Sequence, residues 1–432
     1  MRRGTVIGLL ILVLPGLIAC TKEPGDDEAP PIADYRTYDL VTVSVKEDPF
    51  GGGFVLLCKN SPIDRRTGFI QVLTADGELG ARIDLDELPL RIENLDFSAD
   101  ELLYTDVIPR PDGSMLLIGL GRETQQSDRL HALIQGIDRS GAITGIAARR
   151  YLNRETLLNA NDDANLYQDV DGLPRMRAIG TSTTAGDVIV AARWETTDSA
   201  GIDLFRFPLS GATGLVIGTQ LPLSETFDRL HRIACDPVTG RTLLIADAGE
   251  EGGRRELMAH EGLPGFSAWS GLSGSPLDLR DVEPFDLAWS DGEFIMTGHV
   301  PPEAGAPIKP CISRIAAPLP PTIGVHVLAG PWPAERPVAC YSAGFWEGGV
   351  HLALQVHEVA ALPPYFEGDI TSDLVVGDVQ GDQTVEERET VIPGQGLRAI
   401  GYFYKGGREI IIGSQHPFLN ASYEHTFYLV RD

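Results

Sequence analysis

The sequence predicts an all-β fold: a seven-bladed β-propeller of four-stranded antiparallel blades, its ring closed by the N-terminal strand. Three observations carry this. First, a glycine turn followed by a short apolar run occurs seven times: GGGFVLLC from Gly51, DGSMLLIG from Asp112, AGDVIVAA from Ala185, TGRTLLIA from Thr239, DGEFIMTG from Asp291, GGVHLALQ from Gly348 and GGREIIIG from Gly406. Second, the marker glycines Gly52, Gly113, Gly186, Gly240, Gly292, Gly348 and Gly406 stand 52 to 73 residues apart, a repeat length that suits one propeller blade. Third, the runs are apolar at successive positions, as in Leu116-Leu117-Ile118 and Ile410-Ile411-Ile412. A strand with one wet face would alternate, so both faces must be covered.

One repeat, residues 97–150, reads as four strands. FSADELLYTDVIPRPDG runs into the first turn and SMLLIGLG leaves it. RLHALIQGIDRSG leads to a second turn at Asp138 to Gly141, and AITGIAARRYL closes the unit. Gly and Asp stand at the bends, where positive φ is required. The second turn recurs around Gly77, Gly211, Gly262 and Gly381; in the fifth unit RIAAPLPP from Arg314 stands there without its glycine. After Gly406 the last unit offers only REIIIGSQ and HTFYLVRD, one strand short, while Tyr35 to Val43 is a spare strand at the start. Pairing the two would close the ring and leave no free edge. A two-sheet sandwich is the structural rival, and it does not explain seven equivalent units.

The ends are organised differently. Arg2 and Arg3 precede an apolar stretch from Gly4 to Ala19, broken once at Pro15. It is shorter than the roughly 20 residues a spanning helix needs and has the order of a signal peptide. Leu17-Ile18-Ala19-Cys20 resembles the lipobox of bacterial lipoproteins. That resemblance implies cleavage before Cys20, lipidation of its sulfur, and anchoring in a membrane; Thr21 in place of an aspartate points to the outer membrane. Residues 20–33, TKEPGDDEAPPIA after the cysteine, are rich in Pro, Asp and Glu and have little to bury, so they read as a disordered acidic tether. The propeller is expected over 34–432. Its repeats, Asp-Gly-x-x-apolar-apolar-x-Gly and then Asp-x-x-Gly-x-apolar, resemble those of bacterial envelope propellers with repeats near 60 residues. That likeness implies a fold and leaves function open, because such scaffolds host binding, docking, lyases and hydrolases.

Net charge is −26 on the full chain, and the loss of Arg2 and Arg3 would take it to −28. This argues against nucleic acid and anionic lipid surfaces as partners, both of which need a positive footprint. With Cys20 lipidated, Cys58, Cys235, Cys311 and Cys340 remain. Cys58 and Cys235 each lie in an apolar run that suits a buried free thiol; no disulfide is expected, and Cys311–Cys340 is the least unfavourable bridge.

No nucleophile elbow, HExxH, P-loop or dinucleotide fingerprint occurs. The positional signal is three histidines, His299, His357 and His416, each at or just past the end of a second strand in consecutive units. Arg193, Trp194 and Glu195, and Arg122 and Glu123, hold related places. Such a face could hold a carboxylate, a sugar or a metal ion. In the longest interval, NANDDANLYQDVDG carries Asp162, Asp163, Asp169 and Asp171, whose oxygens suit Ca²⁺, although the EF-hand order fails at Leu166. No other cofactor is suggested. Trp289, Trp346 and Tyr404, just before first turns, read as packing groups.

Two functions follow. The first is an outer-membrane lipoprotein, monomeric in its folded body, that is non-catalytic and binds a protein or extracellular ligand on one face. The alternative is an envelope enzyme of polysaccharide lyase or hydrolase type, with its site over the propeller axis.

Overall fold

The computed structural model describes residues 34–60, 67–85, 88, 90–92, 95–97, 102–122, 130–152, 177–195, 200–212, 214–221, 227–248, 254–260, 270–271, 282–300, 307–316, 325–333, 335–357, 372–381, 384–392, 397–415 and 425–431. Residues 1–19, the tether and Cys20 lie outside them, as do His416, Glu123, Asp162, Asp163, Asp169 and Asp171.

The turns explain the hairpins. Trp289-Ser290 and Glu293 flank Asp291-Gly292, with φ of 49° and 89°. Glu347-Gly348 repeats this at 54° and 70°. Two consecutive residues with positive φ make the tight type I′ connection, whose twist matches that of the strands it joins. Glycine at the second place removes the Cβ clash that such a φ brings.

These hairpins extend into antiparallel sheets, which are numbered here in chain order. The first sheet runs Val41–Glu47, Phe54–Lys59, Thr67–Leu73, Leu79–Asp84. The second runs Leu102–Pro109, Met115–Arg122, Leu130–Ile137, Ile143–Tyr151, with Gly214–Ile217 added in parallel. The third is Arg177–Ser182, Asp187–Glu195, Ala200–Pro208, Thr219–Leu221. The fourth is Phe227–Cys235, Thr242–Ala248, Arg254–His260, Ser270–Gly271. The fifth is Glu283–Ser290, Glu293–Val300, Lys309–Ala316, His326–Val327. The sixth is Val338–Trp346, Gly349–His357, Ser372–Gln380, Thr384–Ile392. The seventh is Leu397–Lys405, Arg408–Gln415, His425–Arg431 and then Asp34–Tyr38, which pairs Tyr35 with Leu429 and Thr37 with Phe427. The expected spare strand is therefore divided: Asp34–Tyr38 joins the seventh sheet, and Val41–Glu47 opens the first. Tyr38-Asp39-Leu40 is the joint, tied by a Leu40 N–H to Tyr38 O bond of 2.8 Å.

The arrangement is an all-β propeller of four-stranded antiparallel blades, and its packing explains the apolar runs. Successive residues of one second strand serve different cores. Phe54, Leu56 and Cys58 pack with Ile410, Ile412, Tyr428 and Val430 of the seventh sheet, while Val55 and Leu57 pack with Leu102, Val107 and Leu117 of the second. Leu116, Ile118 and Leu120 turn toward Val188 and Val190 of the third sheet. Ile411 faces the sixth sheet and its neighbour Ile412 the first. Each sheet is thus sandwiched, with apolar area removed from water on both faces at about 25 cal/mol per Å².

First strands of successive sheets touch, and that of the seventh touches that of the first. Six of these first strands carry a bulge, at Val43, Thr105, His231, Phe285, Tyr341 and Ile400. A bulge inserts one residue and re-aims its side chain. Thr105 uses this to bridge to the next sheet: its hydroxyl donates to Ala178 O at 2.7 Å and accepts from Ala178 N at 2.9 Å.

Opposite three bulges the apolar run ends in glycine. A Cβ on Gly119 would sit 2.3 Å from Leu103 O, on Gly298 2.2 Å from Glu283 O, and on Gly413 2.1 Å from Arg398 O. The terminal glycine of the repeated phrase is thereby accounted for, since the bulged backbone leaves no room for a side chain there.

Cys58, Cys235, Cys311 and Cys340 are buried free thiols. Burial pushes Cys58 and Cys340 up to about 12. Trp346 stacks on His351 at 3.9 Å and on Tyr404 at 5.4 Å, and Trp289 meets Phe294 edge-on at 4.7 Å. These aromatics pack the tight-turn end of their blades.

Candidate functional site

Second strands end, and first strands begin, at the same end of every blade. Several connections there are longer than the tight turns at the other end: His357 and Ser372 bound residues 358–371, whereas Trp346 and Gly349 are separated only by Glu347-Gly348. Connections mounted on a rigid scaffold are where binding concentrates.

His299 and His357 both stand at this end, but neither imidazole is solvated. His299 is 9% exposed and His357 2%. Burial pulls His357 down to about 4, so it is neutral at pH 7. Trp194 lies in the core between the second and third sheets, and Arg193 is buried beside it in sequence. Arg122 is half-buried opposite Leu130. Glu195 ends its strand opposite Ala200.

What the structure assembles around His299 is a cluster that spans three blades. His299 stacks on Phe285, ring centroids 4.9 Å apart at 29°. Phe285 meets Tyr341 edge-on at 4.6 Å, and His299 meets Tyr341 at 6.2 Å. The Arg398 guanidinium lies 4.5 Å from the Tyr341 ring centre and 5.6 Å from that of Phe285, both within cation–π range. Phe285 and Tyr341 are the bulged residues of the fifth and sixth first strands, and Arg398 is the second residue of the seventh. Glu283 lies directly opposite His299 in the strand ladder. Burial raises the Tyr341 phenol, with Arg398 opposing that shift, so the hydroxyl holds its proton at neutral pH.

Below the cluster the first strands carry a second charged tier. Asp286 follows the Phe285 bulge and accepts from Leu287 N at 2.9 Å and Ala343 N at 3.4 Å. Asp106 follows the Thr105 bulge in the same way, with Val107 N at 2.9 Å and Gly180 N at 3.0 Å. In each case the aspartate clasps the next blade. Lys46 pairs with Asp106 at 3.3 Å. Arg232 donates to Phe285 O at 2.6 Å and His231 O at 2.9 Å. Burial pushes Asp286 up, with Arg232 and Lys46 among the groups that oppose the shift.

Sequence reasoning reached His299 and missed Phe285, Tyr341 and Arg398. A faint signal exists, because Phe285 precedes Gly292 by the same interval as Tyr341 precedes Gly348. Among the described residues no group of three His, Cys, Asp or Glu is placed to hold a metal.

No family model and no curated protein matches the chain. Solved structures similar to it include the Trypanosoma rangeli sialidase in complex with sialic acid, at 11% identity and TM-score 0.39, matching 92% of this chain and 58% of that one. Phage phi92 endosialidase matches at 11% and 0.40 over 91% of this chain and 69% of its own. Polysaccharide lyase Uly1 matches at 8% and 0.37 over 80% and 94%. The chain spans less than two thirds of the first of these. Likeness at this level speaks to architecture and carries no argument about activity.

Proposed function

We propose that this protein is a lipid-anchored envelope enzyme of polysaccharide lyase or hydrolase type, with its site over the propeller axis. The observation that supports this is the meeting of His299, Tyr341 and Arg398 on Phe285 at the end of the blades that carries the long connections. A phenol kept protonated by burial is suited to protonate a leaving oxygen, a neighbouring imidazole to accept a proton, and a guanidinium to hold developing negative charge. Anchoring through Cys20 and an outer-membrane location follow from the lipobox resemblance. We also propose that the blades number seven and that Asp34–Tyr38 closes the ring; seven inter-sheet cores among the described residues support that count.

The test is turnover of a panel of polysaccharides by the full chain, read as new reducing ends and as ultraviolet absorbance of an unsaturated product. Turnover that falls at least a hundredfold in Tyr341→Phe and in His299→Gln, with melting unchanged, is the expected result. Binding without turnover on every polymer would replace this reading with the second one, a non-catalytic module that docks a protein or extracellular ligand. That second reading is favoured by the length of the connections at the same end, 358–371 above all.

A further inference from the structure

We propose that Arg398 is the seat of a ligand carboxylate, so that the polymer recognised at this site is built from acidic sugars. The proposal rests on the reading of this cluster as the ligand site and adds the chemical class of the ligand. The chain holds 61 acidic residues against 35 Lys and Arg, so a guanidinium without an acidic neighbour runs against its composition. Several arginines follow the expectation: Arg82 pairs with Asp84 at 2.8 Å, Arg314 with Glu293 at 2.8 Å, Arg431 with Glu409 at 2.9 Å, and Arg139 and Arg206 with Asp48 and Asp187. The Arg398 guanidinium has no ion pair and no hydrogen bond among the described residues; its contacts are the ring faces of Tyr341 and Phe285. The Tyr341 hydroxyl likewise has no hydrogen-bond partner among them, which leaves a second donor beside the guanidinium.

The site is also pre-shaped. Arg398 is the second residue of a first strand, and its carbonyl lies against Gly413, too close for any Cβ, so its backbone is held before a ligand arrives and less ordering is lost on binding. A planar guanidinium fork matches a planar carboxylate with two parallel hydrogen bonds. One charge without a carboxylate partner among the described residues suits a monoanion rather than phosphate; the first-strand cations Lys46 and Arg232 are engaged, Lys46 with Asp106 and Arg232 with backbone carbonyls.

The experiment is calorimetric binding of a galacturonic acid pentamer and of its methyl ester to the full chain, in low salt. The acid should bind at least tenfold tighter than the ester. That preference should vanish in Arg398→Gln and survive in part in Arg398→Lys, which keeps the charge but loses the fork. Equal affinity for acid and ester in the wild type overturns the proposal, and this arm needs no variant to fold. Preference that persists in Arg398→Gln overturns it too. Acid-selective binding without turnover would sustain the carboxylate seat while ending the enzyme reading. Turnover of neutral polymers with no charge preference would do the reverse.

Discussion

Ile411 and Ile412 are chain neighbours, both fully buried, and they face opposite seams. Ile411 packs toward the sixth sheet within the continuous chain. Ile412 packs toward the first sheet, across the seam where the two ends of the propeller meet. If that seam is a closed blade interface, Ile411→Ala and Ile412→Ala should cost the same. Each substitution deletes three carbons, which at about 0.8 kcal/mol per buried CH₂ removes roughly 2.4 kcal/mol of transfer energy. The residual cavity raises the expected loss to about 2–5 kcal/mol. Urea unfolding of both variants and the wild type measures this, with the slope m compared to confirm that the same surface is exposed. Matching losses within about 1 kcal/mol, the spread expected from differences in local relaxation, support closure. A full cost at Ile411 beside a loss below about 0.5 kcal/mol at Ile412, the range of an ordinary surface change, would refute it.

Three further outcomes are expected. His357 has its folded pKa lowered to about 4 against an ordinary 6.5, so the unfolded chain binds the extra proton between those values. Stability present above pH 6.5 is lost as pH falls toward 4, by about 3 kcal/mol, and denaturant midpoints of His357→Gln should lack that part of the slope. Gly298→Ala would set a Cβ 2.2 Å from Glu283 O and displace the bulge that carries Phe285, costing about 1–3 kcal/mol and weakening ligand binding. Gly145→Ala, with nothing within 4 Å of its Cβ, is the control and should stay within about 0.5 kcal/mol. Thiol alkylation should spare Cys58 and Cys340, buried and raised to about 12, until the fold is denatured.

Much of the architecture was legible in residues. Positive φ at Gly113 and Gly292 follows from their place in the turn, and the unbroken run Leu116-Leu117-Ile118 demanded two covered faces. The N-terminal strand was legible as well, because the last unit lacked one, although its split at Tyr38-Asp39-Leu40 was not. The site was far less legible. His299 was visible because it closes an apolar run, but a similar position marked His357 and Trp194, and the fold buries all three. Their exposure depends on which neighbouring blade covers that strand end, and a repeat register carries no such information. Phe285, Tyr341 and Arg398 escaped notice because a bulge, invisible in composition, re-aims two of them.

By itself the sequence determined the repeat, the turn chemistry and the two-faced burial of the second strands, since all three rest on local pattern and backbone sterics. Only the tertiary structure decided which side chains meet. His299, Tyr341 and Arg398 are separated by tens of residues in the chain, and they come together because the second strand of the fifth sheet, through Phe285 beside it, meets the first strands of the sixth and seventh. There Arg398 has no carboxylate partner among the described residues.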